Sequence, residues 1–397
     1  MKVTFFSNFM NHHQLPLSLE LAEHAGVEYT FVSMEEVPQS RLALGYEDMD
    51  KKYPFVLRAY ASSKEHHQAK VLLDESDVVI LGSAPVSFLT RRLRQGKLTF
   101  QYSERFFKRA DGGLKQHIRN RVRAWKHFVR FQGQPLYFLC SSAYTAADVL
   151  RYADYTGKMF RWGYFPQTVR WPSTESLMAV KEPAVLLWVG RLLDWKHPEH
   201  AVEVARRLQM EKIPFRLEII GTGPEQETLL RQVGQGGVGK QICFRGAIPA
   251  SEVRTHMNKA AVFLFTSDRQ EGWGAVLNEA MNSGCAVVAN HEAGASPYLI
   301  RDGINGLLYE NRNVDALYRS VKGLLLEPER AVQMGRKAYL TITQTWNAQV
   351  AAQRFVALAQ ALQAGDPPPF YQEGPCSPAP ILSDNWYPAK ISPDSWT

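Results

Sequence analysis

Glu271 and Glu279 stand with seven residues between them in the run DRQEGWGAVLNEAMNSG at 268–284. An apolar stretch, AAVFLFTS at 260–267, precedes the pair, and a second, CAVVAN, starts at Cys285. Between them AVLNEAM carries good helix formers with one apolar face, so the pattern predicts strand, glycine-bearing loop, helix, strand. Gly272 and Gly274 let the backbone approach a ligand or take positive φ. The amides of Trp273, Gly274, Ala275 and Val276 would be the unpaired donors of a helix N-terminus, suited to a phosphate or a sugar hydroxyl. Glu271, in the loop, can accept from polyol hydroxyls. Glu279, more than a turn into the helix, can reach a second diol such as a ribose. Two carboxylates flanking anion-binding amides describe a nucleotide-sugar pocket, and in open α/β sheets ligands sit beyond the carboxyl ends of strands, where this loop lies. The same spacing also fits an ordinary helix cap with a surface glutamate.

Two cations join this pair. In AVLLWVGRLLDWKHPEH, a buried strand at 184–189 ends at Gly190, and Arg191 and Lys196 lie on the loop before a helix starting near Pro198. A guanidinium fork and an ammonium make a good clamp for a diphosphate; solvated loop cations are the plain alternative. FRLEIIGTGPEQETLL adds a strand, a turn at Gly221 and Gly223, and a helix. That GxG is too short for a dinucleotide fingerprint and reads as a tight turn lining the same pocket.

The segment EGWGAVLNEAMNSGCAVVA resembles the signature of family 4 glycosyltransferases (glycosyl transferases group 1), which retain anomeric configuration on the GT-B fold. The resemblance is strong over 184–345 and weak in the first half. It implies an α/β chain of two Rossmann-like, doubly wound domains facing a central cleft. It implies transfer of a sugar from a nucleotide-diphosphate donor to an acceptor hydroxyl, in polysaccharide, glycolipid or glycoconjugate synthesis, without a metal or other cofactor. Gly190, Arg191 and Lys196 would hold the donor diphosphate, with Gly221 lining the pocket. Arg245 and Ala247 would border the base. Glu271, Gly272, Trp273, Gly274, Ala275, Val276 and Glu279 would hold the sugar and ribose. Glu271, Arg191 and Lys196 carry the expected catalysis. The family's first loop often has glycines; here Asn8, Asn11, His12 and His13 replace them, and Asn11, His12, His13 and Glu104 of SERFFKR form the expected acceptor side.

The elements that must position these residues start with KVTFFS at 2–7, then a helix at 17–25 and a strand at 27–34. Further strands are expected at 76–84, 98–102 and 135–142, with 35–60 irregular. DMD at 48–50 imitates a metal-binding motif, but no strand leads into it. The expected domains are 1–172, 181–345, a helix at 346–364 crossing back to the first domain, and a Pro-rich, extended or disordered tail at 365–397. In that tail Trp386, Tyr387 and Trp396 could dock on a surface. GKMFRWGYFP at 157–166 resembles the crossover out of the first GT-B domain.

The chain has 397 residues, 45% hydrophobic and 21% charged, as in ordinary globular proteins. Its four cysteines lack metal or disulfide spacing and fit a reducing cytosol. The N-terminus reads as a βα turn rather than a leader, and no run is long enough to span a bilayer. The net charge of +7 is concentrated: residues 91–130 hold 13 Lys or Arg against 2 acids, or +11. Ile118, Val122, Trp125 and Val129 recur there at helical spacing among arginines and lysines. Two readings remain: a core stripe beneath a solvated face, or a dock for the anionic inner face of a membrane, which suits a lipid-linked acceptor. No nucleic-acid motif accompanies the charge. A non-catalytic nucleotide-sugar-binding subunit and a UDP-sugar epimerase are the alternative functions.

Overall fold

The computed structural model describes residues 1–39, 47–108, 113–384 and 386–387. Trp396, and Arg109 and Asp111 of the basic segment, lie outside the described residues. The chain divides into two compact units: Met1–Thr168 with Thr345–Ile381, and Val169–Gln344 with Leu382–Thr397.

The first unit holds β1 (Lys2–Ser7), β2 (Glu28–Ser33), β3 (Val56–Arg58), β4 (Val78–Leu81), β5 (Thr99–Ser103), β6 (Leu136–Cys140) and β7 (Met159–Arg161). They form one 7-stranded sheet in the order β3-β2-β1-β4-β5-β6-β7, every pair parallel. Such strands are covered on both faces and so are apolar without alternation, as FFS, VVIL and LYFLC are. The second unit holds β8 (Glu182–Val189), β9 (Arg216–Ile220), β10 (Ile242–Gly246), β11 (Ala260–Phe265), β12 (Ala286–Asn290) and β13 (Leu307–Tyr309). Its sheet runs β10-β9-β8-β11-β12-β13, again all parallel. Leu186, Ile219, Val262, Leu264 and Val288 sit in its core. Both units are Rossmann-like, and in the second the strand order reverses at β8, between β9 and β11.

The helix Ala348–Ala364 belongs to the first unit. Asn347 caps it by accepting from the Val350 amide at 3.0 Å, and Gly365, at φ 78°, ends it. Its Phe355 ring lies 5.1 Å from Phe100 and 5.9 Å from Trp162. The Pro-rich segment after it is irregular but packed. The Arg161 amide donates to Ser377 O at 2.7 Å, the Cys376 amide to Arg161 O at 2.9 Å, and Cys376 is fully buried. Where the second unit begins, Arg170 Nη2 donates to Thr343 O at 3.0 Å and the Trp171 amide to Tyr339 Oη at 2.8 Å.

One local expectation changes. β3 lies within the stretch read as irregular; it is a three-residue edge strand, half-buried throughout. Asp50 of the DMD motif is a buried hub, accepting from the Met10 amide at 2.9 Å and Ser33 Oγ at 2.8 Å. Tyr387 docks, donating to Leu308 O at 2.8 Å within the second unit.

Candidate active site

β8 delivers the first half of the site. Its chain leaves the sheet at Gly190 and passes through Arg191 into the turn Asp194–Lys196. β11 delivers the other half: it ends at Phe265, and the loop 266–274 leads to the helix Ala275–Asn282. β8 and β11 are neighbours at the reversal of strand order, so their C-terminal loops flank the crevice where open sheets bind ligands. The loops are tied together. The Asp268 amide donates to Trp195 O at 3.0 Å. Thr266 Oγ1 donates to Lys196 O at 2.5 Å and accepts from Trp188 Nε1 at 2.8 Å.

Lys196 Nζ meets Glu271 Oε2 as a hydrogen-bonded ion pair, each side chain about seven-eighths buried. The ammonium also lies 4.6 Å above the Trp195 ring. Partial burial removes water that would screen the pair, so each group holds the other in one place.

Close approach explains the glycines. A methyl group on Gly274 would fall 2.3 Å from the Phe265 ring and 3.2 Å from Glu271 Cγ, and its φ of 94° is one that L side chains avoid. A methyl on Gly221 would fall 1.8 Å from Gly190 O, and one on Gly190 would lie 3.4 Å from Lys196 Cδ. Gly190, Lys196, Gly221, Glu271 and Gly274 are therefore one contiguous set. Leu277 N–H closes the first helical turn onto Gly274 O at 2.9 Å. The amides of Ala275 and Val276 find no acceptor among the described residues, which leaves two N–H donors at a helix start beside Glu271.

The other candidates differ in burial and partners. Arg191 is exposed and forms no ion pair among the described residues. Arg245 is tied to the buried Glu218 at 3.0 Å, and Glu218 also takes His256 at 2.5 Å. Ala247 is exposed next to Gly246, whose carbonyl accepts from the Gly221 amide at 2.8 Å. Glu279 is raised by burial, against the pull of Arg254, whose Nη1 donates to Glu279 O at 3.1 Å. The Trp273 indole is wholly buried and donates to Asn278 Oδ1 at 2.8 Å, so it is the backbone of Trp273 that can face a ligand. Gly272 is buried beside it.

In the first unit the expected acceptor-side residues meet through Tyr164, which the sequence did not single out. Tyr164 Oη donates to Glu104 Oε1 at 2.6 Å, and its ring stacks on His13 at 5.9 Å and 8°. His12 and His13 have ring centroids 3.7 Å apart. Asn11 caps the turn, its Oδ1 accepting from the His13 amide at 3.0 Å. Lys108 pairs with Glu104 at 2.7 Å.

His197, directly after Lys196, was also missed; its signal is a non-glycine residue at φ 49° before Pro198. Its Nδ1 lies 2.7 Å from Glu199 and its Nε2 lies 3.5 Å from Asp268. Burial pulls the imidazole down, but Asp268 and Glu199 outweigh it and raise it to about 9. Ligand atoms of His197, Glu199 and His200 lie within 4.8 Å of one another, a spacing that a metal ion can bridge. The group does not fit that use well: His197 is held protonated by two carboxylates, and a metal would have to displace that proton.

Residues 169–341 match the family described as glycosyl transferases group 1. Over 157 residues, 38% of the chain, the sequence is 33% identical to the GDP-mannose-dependent alpha-(1-6)-phosphatidylinositol monomannoside mannosyltransferase of Mycolicibacterium smegmatis, covering 41% of that protein. The chain thus spans less than half the length of the curated relatives it matches. Among solved structures, sucrose-phosphate synthase of Thermosynechococcus elongatus superposes with a TM-score of 0.67 at 18% identity, over 92% of this chain and 100% of that one. Anabaena HepE in complex with UDP and glucose gives 0.63 at 14%, over 92% and 100%. The architecture of two parallel-sheet, Rossmann-like units is that of the GT-B fold, and the unit that holds Lys196 and Glu271 is the one that matches the glycosyl transferases group 1.

Proposed function

We propose that this protein transfers a glycosyl group from a nucleoside-diphosphate sugar to an acceptor hydroxyl, with retention at the anomeric carbon and without a metal. The observation that carries the reading is the Lys196–Glu271 pair at the strand-order reversal, beside the unfilled amides of Ala275 and Val276. A diphosphate entering there offers Lys196 a doubly charged partner in place of Glu271. The released carboxylate is then free to accept from the sugar hydroxyls and to face positive charge growing on the ring. As the bond between anomeric carbon and phosphate oxygen breaks, negative charge grows on the diphosphate. Lys196, Arg191 and the helix start stabilise it. The departing oxygen takes the acceptor proton while the new glycosidic bond forms on the same face. Glu279 holds the ribose. These cations supply the charge that a metal would otherwise bring.

His13 and Glu104, ordered by Tyr164, are the proposed acceptor-side groups. The matched mannosyltransferase acts on a phosphatidylinositol mannoside, and a lipid-linked acceptor also suits the basic segment 91–130. We place that segment against the anionic inner face of a membrane and the enzyme in the cytoplasm.

Glu271→Ala is expected to abolish transfer, by about 10³-fold or more, while the protein stays folded. A thermal-shift panel of UDP-, GDP- and ADP-sugars identifies the donor, since a ligand of the folded state raises the melting temperature. Full activity of Glu271→Ala, or donor turnover that stops on addition of a chelator, would overturn the reading.

A further inference from the structure

The helix Gly113–His127 is turned inside out. Leu114, Ile118, Val122 and Trp125 fall on one face at helical spacing, and that face looks outward, with exposures of 76%, 51%, 60% and 55%. The inward face carries Gln116, Asn120, Ala124 and His127. Gln116 Nε2 donates to Asn120 Oδ1 at 2.9 Å, Ala124 is fully buried, and the His127 ring lies 5.9 Å from Phe106. A helix stabilised only by its own fold would show the opposite arrangement. Among the described residues, no other helix or strand exposes more than one large apolar side chain. The core-stripe reading of this helix therefore fails. The helix also ends before Val129, which lies in the short turn Val129–Phe131.

The charges lie where an interface needs them. Lys115, Arg119 and Lys126 flank the apolar stripe on one side and Arg121 on the other; all are exposed, and Gly113–His127 contains no acid. Arg130 sits 5.1 Å over the Trp125 ring and donates to Thr90 Oγ1 at 2.9 Å, extending the basic rim. An apolar strip with a tryptophan, bordered by cations, is the pattern of a helix lying in the plane of a lipid surface. A polynucleotide would match the charge but not the strip, and an acidic protein would have to supply an apolar groove as well.

We propose that Gly113–His127 is a membrane-surface helix that inserts Leu114, Ile118, Val122 and Trp125 between anionic lipid headgroups. Its arginines and lysines then sit at phosphate level. This deepens the membrane contact proposed above and does not rest on the sugar chemistry.

The test is co-sedimentation of the full chain with vesicles of phosphatidylcholine alone and with phosphatidylglycerol added. Binding is expected to the anionic vesicles only, and to weaken with salt. Ile118→Asn with Val122→Asn, and separately Arg119→Gln, Arg121→Gln and Lys126→Gln together, should each lower partitioning by about tenfold or more. All these side chains are exposed, so an unchanged melting temperature checks the fold of each variant. Failure of the wild type to bind, equal binding by the asparagine variant, or loss of binding to competing duplex DNA in that variant and the wild type alike would overturn the proposal. Hydrolysis of the soluble donor, measured in parallel, reports on the proposed chemistry separately: a variant that leaves the vesicles but still cleaves donor separates the two claims.

Discussion

Lys196 and Glu271 are paired across two loops, and that contact decides what a single change does. Under the mechanism proposed above, removing Glu271 frees the ammonium to reach phosphate but strips the sugar of its acceptor, so donor binding should survive while transfer stops. Behind the pair, His197 ties its own loop to Glu199 and Asp268. Its pKa is raised from 6.5 to about 9 in the folded chain, so its contribution to stability is complete below pH 6.5 and lost as pH rises through 9. The size is on the order of 2 kcal/mol, since the ring keeps some contact with water. Melting curves from pH 6 to 10 should show the wild type falling by a few degrees across that window and His197→Gln lacking the fall. Parallel curves for the two proteins would remove the role given to His197. The signal for the pair lay in residue types, glutamate and lysine after buried strands, so both positions were legible. The contact between them was not, because sequence spacing does not say which side chains meet across two loops. At Trp273 the sequence pointed to the backbone amide and left the ring unplaced; Asn278, five residues on, takes its indole N–H into the interior.

The βα turns are held by backbone contacts that leave no room for side chains. At Gly221 the φ is 129° and the nearest neighbour is a carbonyl oxygen that cannot swing aside. Gly221→Ala should therefore cost more than about 3 kcal/mol, seen as a lower melting temperature or loss of soluble protein. Gly234, inside the helix Gln226–Gly236 with open space around it, is the control: Gly234→Ala should stabilise by about 0.5–1 kcal/mol. If the two variants melt alike, close approach is not what selects glycine in that turn. Strong elements were legible because parallel strands such as AVLLWV and AAVFLF are apolar throughout. β3 was not, since Val56–Arg58 is short and half-buried at a sheet edge. For Gly113–His127 the 3.6-residue period showed that one face is apolar, but a period carries no direction, and only the folded structure shows that the face looks outward.

At the scale of the whole molecule, the first unit is assembled from two distant stretches of chain. Residues 1–168 contain Phe100 and Trp162 but lack Phe355, which packs on both, and lack the segment that buries Cys376 against Arg161. Expressed alone, 1–168 should melt without a cooperative transition, as followed by circular dichroism, while the full chain melts cooperatively. A sharp transition for the fragment would show that the helix Ala348–Ala364 is dispensable. The tail was read from its prolines as extended or disordered. Its described residues form no helix, as the prolines suggest, but composition does not reveal that main-chain groups of 376–379 pair with β7.

The hydrogen bond from Arg170 to Thr343 O has an evolutionary meaning. It puts the two ends of the continuous 174-residue stretch Arg170–Thr343 side by side, as in a plug with both wires at one end. Two cuts in a gene would lift that stretch out whole and set it into a different host, with both of its ends returning to one place on the new surface.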